Sequence, residues 1–161
     1  MPEAAEPRGA ALTTTPIGGA GGAERSQVTE HPARLASQRS MAAVEAGDRE
    51  AWLALFADDA LVEDPIGPSP LNPDGQGRRG RAAIAGFWDE IVSMGQVRFS
   101  IRESYACGDE CANVGRVSTT LPDGTTSVVE GVYTYRVGDD GRLVALRAFW
   151  EFDNMQFEAP S

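Results

Sequence analysis

Histidine occurs once, at His31, and cysteine twice, at Cys107 and Cys111. A structural zinc site needs about four nitrogen or sulfur ligands, so none is expected here. A lone histidine at the edge of the domain also gives little basis for a Ser-His-Asp triad. Two cysteines are too few for a disulfide scaffold. They flank a Gly-Asp-Glu turn, across which they could approach one another, although two reduced thiols without a role is the favoured reading. Basic residues are scarce: 14 Lys and Arg stand against 24 Asp and Glu, for a net charge of -10. Such a chain repels phosphate backbones, so no nucleic-acid partner is expected. No apolar run approaches the roughly 20 residues of a membrane span. The N-terminus lacks the basic start and apolar centre of a signal peptide. Together these gaps point to a cytoplasmic protein without metal or other cofactor and without a membrane partner.

What is present is enough chain for one domain with a single core. Residues 1–30 are rich in Ala, Gly, Pro and Thr without apolar period, and are expected to form a disordered tail. The domain is expected over 31–157, with a short tail at 158–161. ARLASQRSMAAVEAG predicts a helix closed by Gly47, and Asp48 is placed to cap a second helix, REAWLALFA. ALVEDP predicts a short strand ended by Pro65. Residues 66–80 read as loop, and Arg81–Met94 as a third helix with Ile84, Phe87, Trp88, Ile91 and Val92 on one broad face. Four alternating segments follow: VRFSIRESYAC, ANVGRVSTTL, SVVEGVYTYRV and RLVALRAFWEF, two of the joins marked by Pro122-Asp123-Gly124 and GDDG. Helices first and hairpin-joined strands after them indicate an α+β fold with helices on one face of a mostly antiparallel sheet.

GQGRRG, residues 75–80, has the letters of a dinucleotide fingerprint. That motif needs a strand directly before it and a parallel βαβ unit around it, and here a Pro-rich loop precedes it. A loop beside a cavity is the better reading. The aromatics Phe56, Phe87, Trp88, Tyr105, Tyr133, Tyr135, Phe149 and Trp150 are either core or cavity wall, which spacing alone does not separate.

FADDALVEDPIGP, residues 56–68, holds Asp58, Asp59, Glu63 and Asp64. The first three read as surface charge. Alternation puts Asp64 on the same side as Val62, facing inward. A buried lone carboxylate is costly unless it is paired or neutral. It either caps the turn Pro65-Ile66-Gly67 or performs chemistry.

GDREAWLALFADDALVEDPIG, the helix start at Gly80-Arg81 and DDGRLVALRAFWEF resemble the ketosteroid isomerases and their SnoaL-like polyketide cyclase relatives, within the nuclear transport factor 2-like superfamily. The resemblance covers roughly residues 33–157. It implies a cone of three helices packed into a sharply curved sheet around a deep apolar pocket, and a homodimer formed through the outer sheet face. Asp64 matches the family's general base, which shuttles a proton between the carbons alpha and gamma to a ketone, and Trp150 matches a tryptophan beside it. The family's two oxyanion donors, a Tyr and a protonated Asp, fall on Ser40 and Tyr133, and its supporting tyrosines on Phe56 and Trp88. The expected catalytic pair is therefore Asp64 and Tyr133, with Ser40, Phe56, Phe87, Trp88, Tyr105 and Trp150 around the substrate. Tyr133 can give one hydrogen bond to a developing oxyanion, while Ser40 is short and acts only through water. Loop 66–80 looks longer than in the isomerases and borders the pocket mouth. The implied function is a cofactor-free isomerase or cyclase for a flat, hydrophobic, carbonyl-bearing steroid or polyketide. A binding protein without chemistry, an epoxide-opening enzyme and a purely structural dimer are the alternatives.

Overall fold

Residues 30–161 are described by a computed structural model, and the tail expected over 1–30 lies outside them apart from Glu30. Helix α1 spans Pro32–Ala46. The His31 ring accepts from the Ala33 amide at 3.1 Å, and Pro32 occupies the first turn, where a missing N–H costs nothing. Gly47 closes the helix in the left-handed region, at φ 67. The buried stripe of α1 is Ala33, Ala36, Ser37, Ser40 and Ala43, small side chains that let the helix lie close to the sheet.

Asp48 caps α2 by accepting from the Ala51 amide at 3.0 Å. Helix α2 spans only Arg49–Ala54, short of the expected REAWLALFA. Strand β1 takes over at Phe56–Glu63. The Leu143 amide donates to the Leu55 carbonyl at 2.8 Å and Phe56 pairs with Leu143, so strand pairing overrides local helical preference. Strand β2, Arg78–Arg79, returns antiparallel to β1. The glycines of the G-x-G-x-x-G run serve this return: Gly75, Gly77 and Gly80 all have positive φ, and a side chain on Gly77 would meet the Val62 carbonyl. Helix α3 covers Arg81–Glu90, and Val92–Met94 forms a single 3₁₀ turn rather than continuing it.

Strands β3 (Gln96–Cys107), β4 (Glu110–Thr120), β5 (Thr126–Val137) and β6 (Leu143–Phe149) form an antiparallel meander. A short strand β7, Gln156–Glu158, unforeseen in the sequence, pairs with β5. The sheet order is β2-β1-β6-β5-β4-β3, and only the β1–β6 pair is parallel. The result is three helices against a curved, unclosed, mostly antiparallel sheet, as the sequence order predicts. Curvature has a local cause. A bulge lies between Ile101 and Glu103, and the Ile101 row continues through Gly115 to Gly131. A Cβ on Gly115 would collide with the Ser100 carbonyl, and one on Gly131 with the Phe149 carbonyl, so the two glycines let neighbouring backbones close up where the sheet bends.

The core lies between the helices and the concave sheet face. Trp52 is at its centre, with its ring 4.7 Å from Phe56 in an edge contact and 5.3 Å from Trp88. Cys111 faces inward and is fully buried, whereas Cys107 is exposed; both are free, and the disulfide left open by the sequence is not formed. No helix among the described residues is long and apolar enough to cross a membrane.

Candidate active site

Two rows of side chains cross the concave face, and the pairing register fixes both. Val62, Leu146, Tyr135 and Cys111 stand level on β1, β6, β5 and β4. Two residues further along β1, the parity of the pleat puts Asp64 level with Ala148, and Ala148 pairs with Tyr133, which pairs with Asn113. The ladder carries on past β1, because the Ile66 amide donates to the Ala148 carbonyl at 3.0 Å. Ala148 is small and fully buried, so Asp64 and Tyr133 face one another across it. Because β1 and β6 run parallel, Asp64 and Trp150 leave the sheet at the same end. There the Trp150 indole Nε1 donates to Asp64 Oδ1 at 2.6 Å.

Asp64, Tyr133, Tyr135, Leu146 and Trp150 line one cavity of about 310 Å³, within the size range of small-molecule sites. Its wall is otherwise dominated by apolar side chains, among them Val44, Phe87, Ile91, Phe99, Val117 and Leu146. The part of Asp64 that is not covered opens into this cavity. Burial pushes its carboxyl above the ordinary carboxylate range, and the Trp150 hydrogen bond pulls back only part of the way. One oxygen is tied to the indole, and no other hydrogen bond holds the second among the described residues.

The Tyr133 hydroxyl is buried in the cavity wall with no hydrogen-bond partner among the described residues. A buried, unsatisfied phenol costs about 1–3 kcal/mol, so its position calls for a ligand atom. Burial, with Asp64 nearby, raises its pKa and keeps it a protonated donor. Tyr135, two residues on and on the same face, is raised for the same reasons and opposed by the Ser40 hydroxyl. Ser40 itself accepts from the Trp52 indole at 3.0 Å. It is thus tied to Trp52, and its effect on Tyr135 places it beside that phenol in the cavity wall.

The structure brings Asp64, Tyr133, Trp150, Ser40 and Phe87 to this cavity. Three expected wall residues lie elsewhere. Phe56 is wholly buried in the core beside Trp52, because the strand that carries it starts earlier than expected. Trp88 is buried against Trp52, outside the cavity lining. Tyr105 is 59% exposed at the far end of β3, where its hydroxyl donates to Glu103 at 3.0 Å. Tyr135 was not picked out, although the i, i+2 spacing in Tyr133-Thr134-Tyr135 already gives it the facing of Tyr133. The mouth residues Leu71, Met155 and Phe157 had no signal, because their positions depend on long-range packing. Leu71 is carried by the 66–77 loop, which Asn72 pins: its side chain donates to the Gly67 carbonyl and accepts from the Gly77 amide, each at 3.3 Å.

Replacing Tyr133 by Phe removes one hydroxyl and nothing else. It should lower turnover on a ketone substrate about a hundredfold, with little loss of substrate affinity. Steady-state kinetics of the variant beside Tyr135→Phe checks this, because Tyr133, not Tyr135, stands in the row of Asp64 and should matter more.

Residues 37–146 match the SnoaL-like domain family. A steroid Δ-isomerase of Nocardioides simplex is 32% identical over 117 residues, which is 73% of this chain and 88% of that protein. The solved Δ5-3-ketosteroid isomerase of a Mycobacterium species is 44% identical, with a TM-score of 0.76 over 80% of this chain and 99% of that one. A Mycobacterium tuberculosis protein solved in complex with estradiol-17β-hemisuccinate is 41% identical, with a TM-score of 0.76 over 80% of this chain and all of that one.

Proposed function

The chain belongs to the SnoaL-like domain family, in the nuclear transport factor 2-like superfamily, and from that premise we propose that it is a cofactor-free acid–base enzyme. Its substrate on this reading is a flat, hydrophobic, carbonyl-bearing polycycle of the steroid or polyketide kind, and its reaction is double-bond migration or ring closure. One observation carries the proposal: a desolvated carboxylate and an unpartnered phenol face each other across a small residue in an apolar cavity.

The free oxygen of Asp64 takes a proton from the carbon alpha to the carbonyl. The electron pair of that C–H bond moves into the new C–C double bond, and the carbonyl oxygen takes on negative charge. Tyr133 donates a hydrogen bond to that oxygen, where a fixed donor in a dry site is worth most. In an isomerisation Asp64 returns the proton to the gamma carbon; in a cyclisation the enolate carbon attacks a second carbonyl carbon of the same molecule, whose C=O π pair moves onto its oxygen, and that oxygen takes the proton held by Asp64. Burial raises the base toward the pH at which it works, and the Trp150 bond fixes its orientation. The 310 Å³ of apolar wall excludes water and holds the reacting atoms together.

Isomerase and cyclase separate on one assay. Conversion of a Δ5-3-ketosteroid to its conjugated isomer, followed by ultraviolet absorbance, marks the isomerase. Steroid that binds without conversion favours the cyclase where its affinity depends on the charge of Asp64, and the binding protein where it does not. With Ser40 in place of a second strong donor, an isomerase here should turn over more slowly than a two-donor site by about 10²–10³, unless the Tyr135 hydroxyl on the same wall supplies that donor. The same shortage of donors supports the second reading, a binding protein, whose affinity would be indifferent to the charge on Asp64. We also assign the outer sheet face, where Arg116, Glu130 and Phe149 border a shallow groove, to a homodimer contact; sedimentation would give its mass.

A further inference from the structure

The end of the cavity remote from Asp64 also has a polar feature. On β5, Ser127 lies six residues before Tyr133 and on the same face, up to about 20 Å away along the strand. The register builds a third row there. Val97 on β3 pairs with Thr119 on β4, Thr119 with Ser127 on β5, and Ser127 with Phe157 on β7. All four line the cavity. Two hydroxyls therefore stand side by side between a valine and a phenylalanine, with Val117 and Val129 paired in the row below them.

Side-by-side hydroxyls on paired strands often satisfy each other. The next pair, Thr120 and Thr126, does so on the opposite face at 3.0 Å. No such bond joins Thr119 to Ser127 among the described residues. Directly paired side chains stand about 5 Å apart at Cβ, so both hydroxyls can converge on one ligand atom. A hydroxyl gives and accepts, so the pair suits either a ketone or an alcohol oxygen.

We propose that Thr119 and Ser127 form a second polar subsite, which takes an oxygen substituent at the end of the ligand remote from the reacting ring. The ligand is then a flat apolar polycycle oxygenated at both ends, one oxygen at Tyr133 and the other at the Thr119–Ser127 pair. This rests on reading the cavity as a site for such polycycles.

Two phenolic probes test it: estradiol, with a hydroxyl at each end, and 17-deoxyestradiol, which lacks the remote one. Titration calorimetry gives both dissociation constants for the full chain and for the variant T119V/S127A, whose changes keep or reduce side-chain size. The wild type should favour estradiol about tenfold, the worth of one good hydrogen bond. In the variant the preference should fall to about twofold or less, with 17-deoxyestradiol bound as tightly as before. T119V alone, with a thermal melt, guards against a folding defect. An equal preference in wild type and variant, or none in the wild type, overturns the subsite and leaves the Asp64 chemistry untouched. Failure of the wild type to bind either probe overturns the polycycle reading itself.

Discussion

Replacing Asp64 by Asn should lower turnover on a ketone substrate by about 10²–10⁴-fold, the range for a positioned general base. The amide has the same shape and its oxygen still accepts from the Trp150 indole, so substrate affinity should change little. Stability should move the other way. The folded-state carboxyl titrates above its ordinary value, so the native protein holds its proton more tightly than the unfolded chain does. Whatever stability this confers is fully present below the unfolded value and is lost as pH rises through the folded one. At any pH above the folded-state value the wild type keeps a charge in an apolar wall, and there Asp64→Asn should raise the thermal midpoint. That gain should shrink as the pH is lowered through the folded value and be gone below the ordinary carboxylate range. An inactive but more stable variant is the expected signature of a residue kept for its chemistry. Equal turnover in wild type and variant would remove Asp64 from the mechanism.

Trp52→Ala should cost about 3–5 kcal/mol of stability, the usual range for emptying a buried tryptophan site. For a domain of this size that is a fall of roughly 10–20 °C in thermal midpoint. Trp52 touches Phe56, Phe87 and Trp88, so its loss opens the centre of the core. It also leaves the Ser40 hydroxyl without its indole donor. Trp52 and Ser40 both line the cavity, so its wall loosens together with the core. Calorimetric melts of Trp52→Ala and Trp52→Phe separate the two contributions: the Phe variant keeps most of the ring packing but not the indole N–H.

Asp64 was legible because three local signals coincide: period-2 alternation, a proline that ends the strand, and an apolar residue two positions back. The Asp48 cap and the stop at Gly47 were legible for the same kind of reason, since capping chemistry is local, whereas the cap at His31 was not foreseen. Phe56 was misplaced because FADD has helical neighbours, and only a pairing with Leu143, 87 residues on, makes it strand. Tyr105 was misplaced because alternation gives two faces without saying which is concave; the bulge between Ile101 and Glu103 further changes the facing along β3. The role of Ser40 was hidden since its partner, Trp52, belongs to a different element. The Gly115–Gly131 row was equally hidden: each glycine looks ordinary alone, and only the register aligns them across the bend.

The most direct measurement follows the Asp64 carboxyl carbon by NMR as pH is raised in ligand-free protein, beside the pH dependence of turnover. A carboxyl desolvated in this cavity titrates above the ordinary value of about 3.9, and turnover rises on the same midpoint as the base loses its proton. A midpoint at or below that value, or turnover that ignores it, would mean that the side chain is solvated and that the proton moves elsewhere.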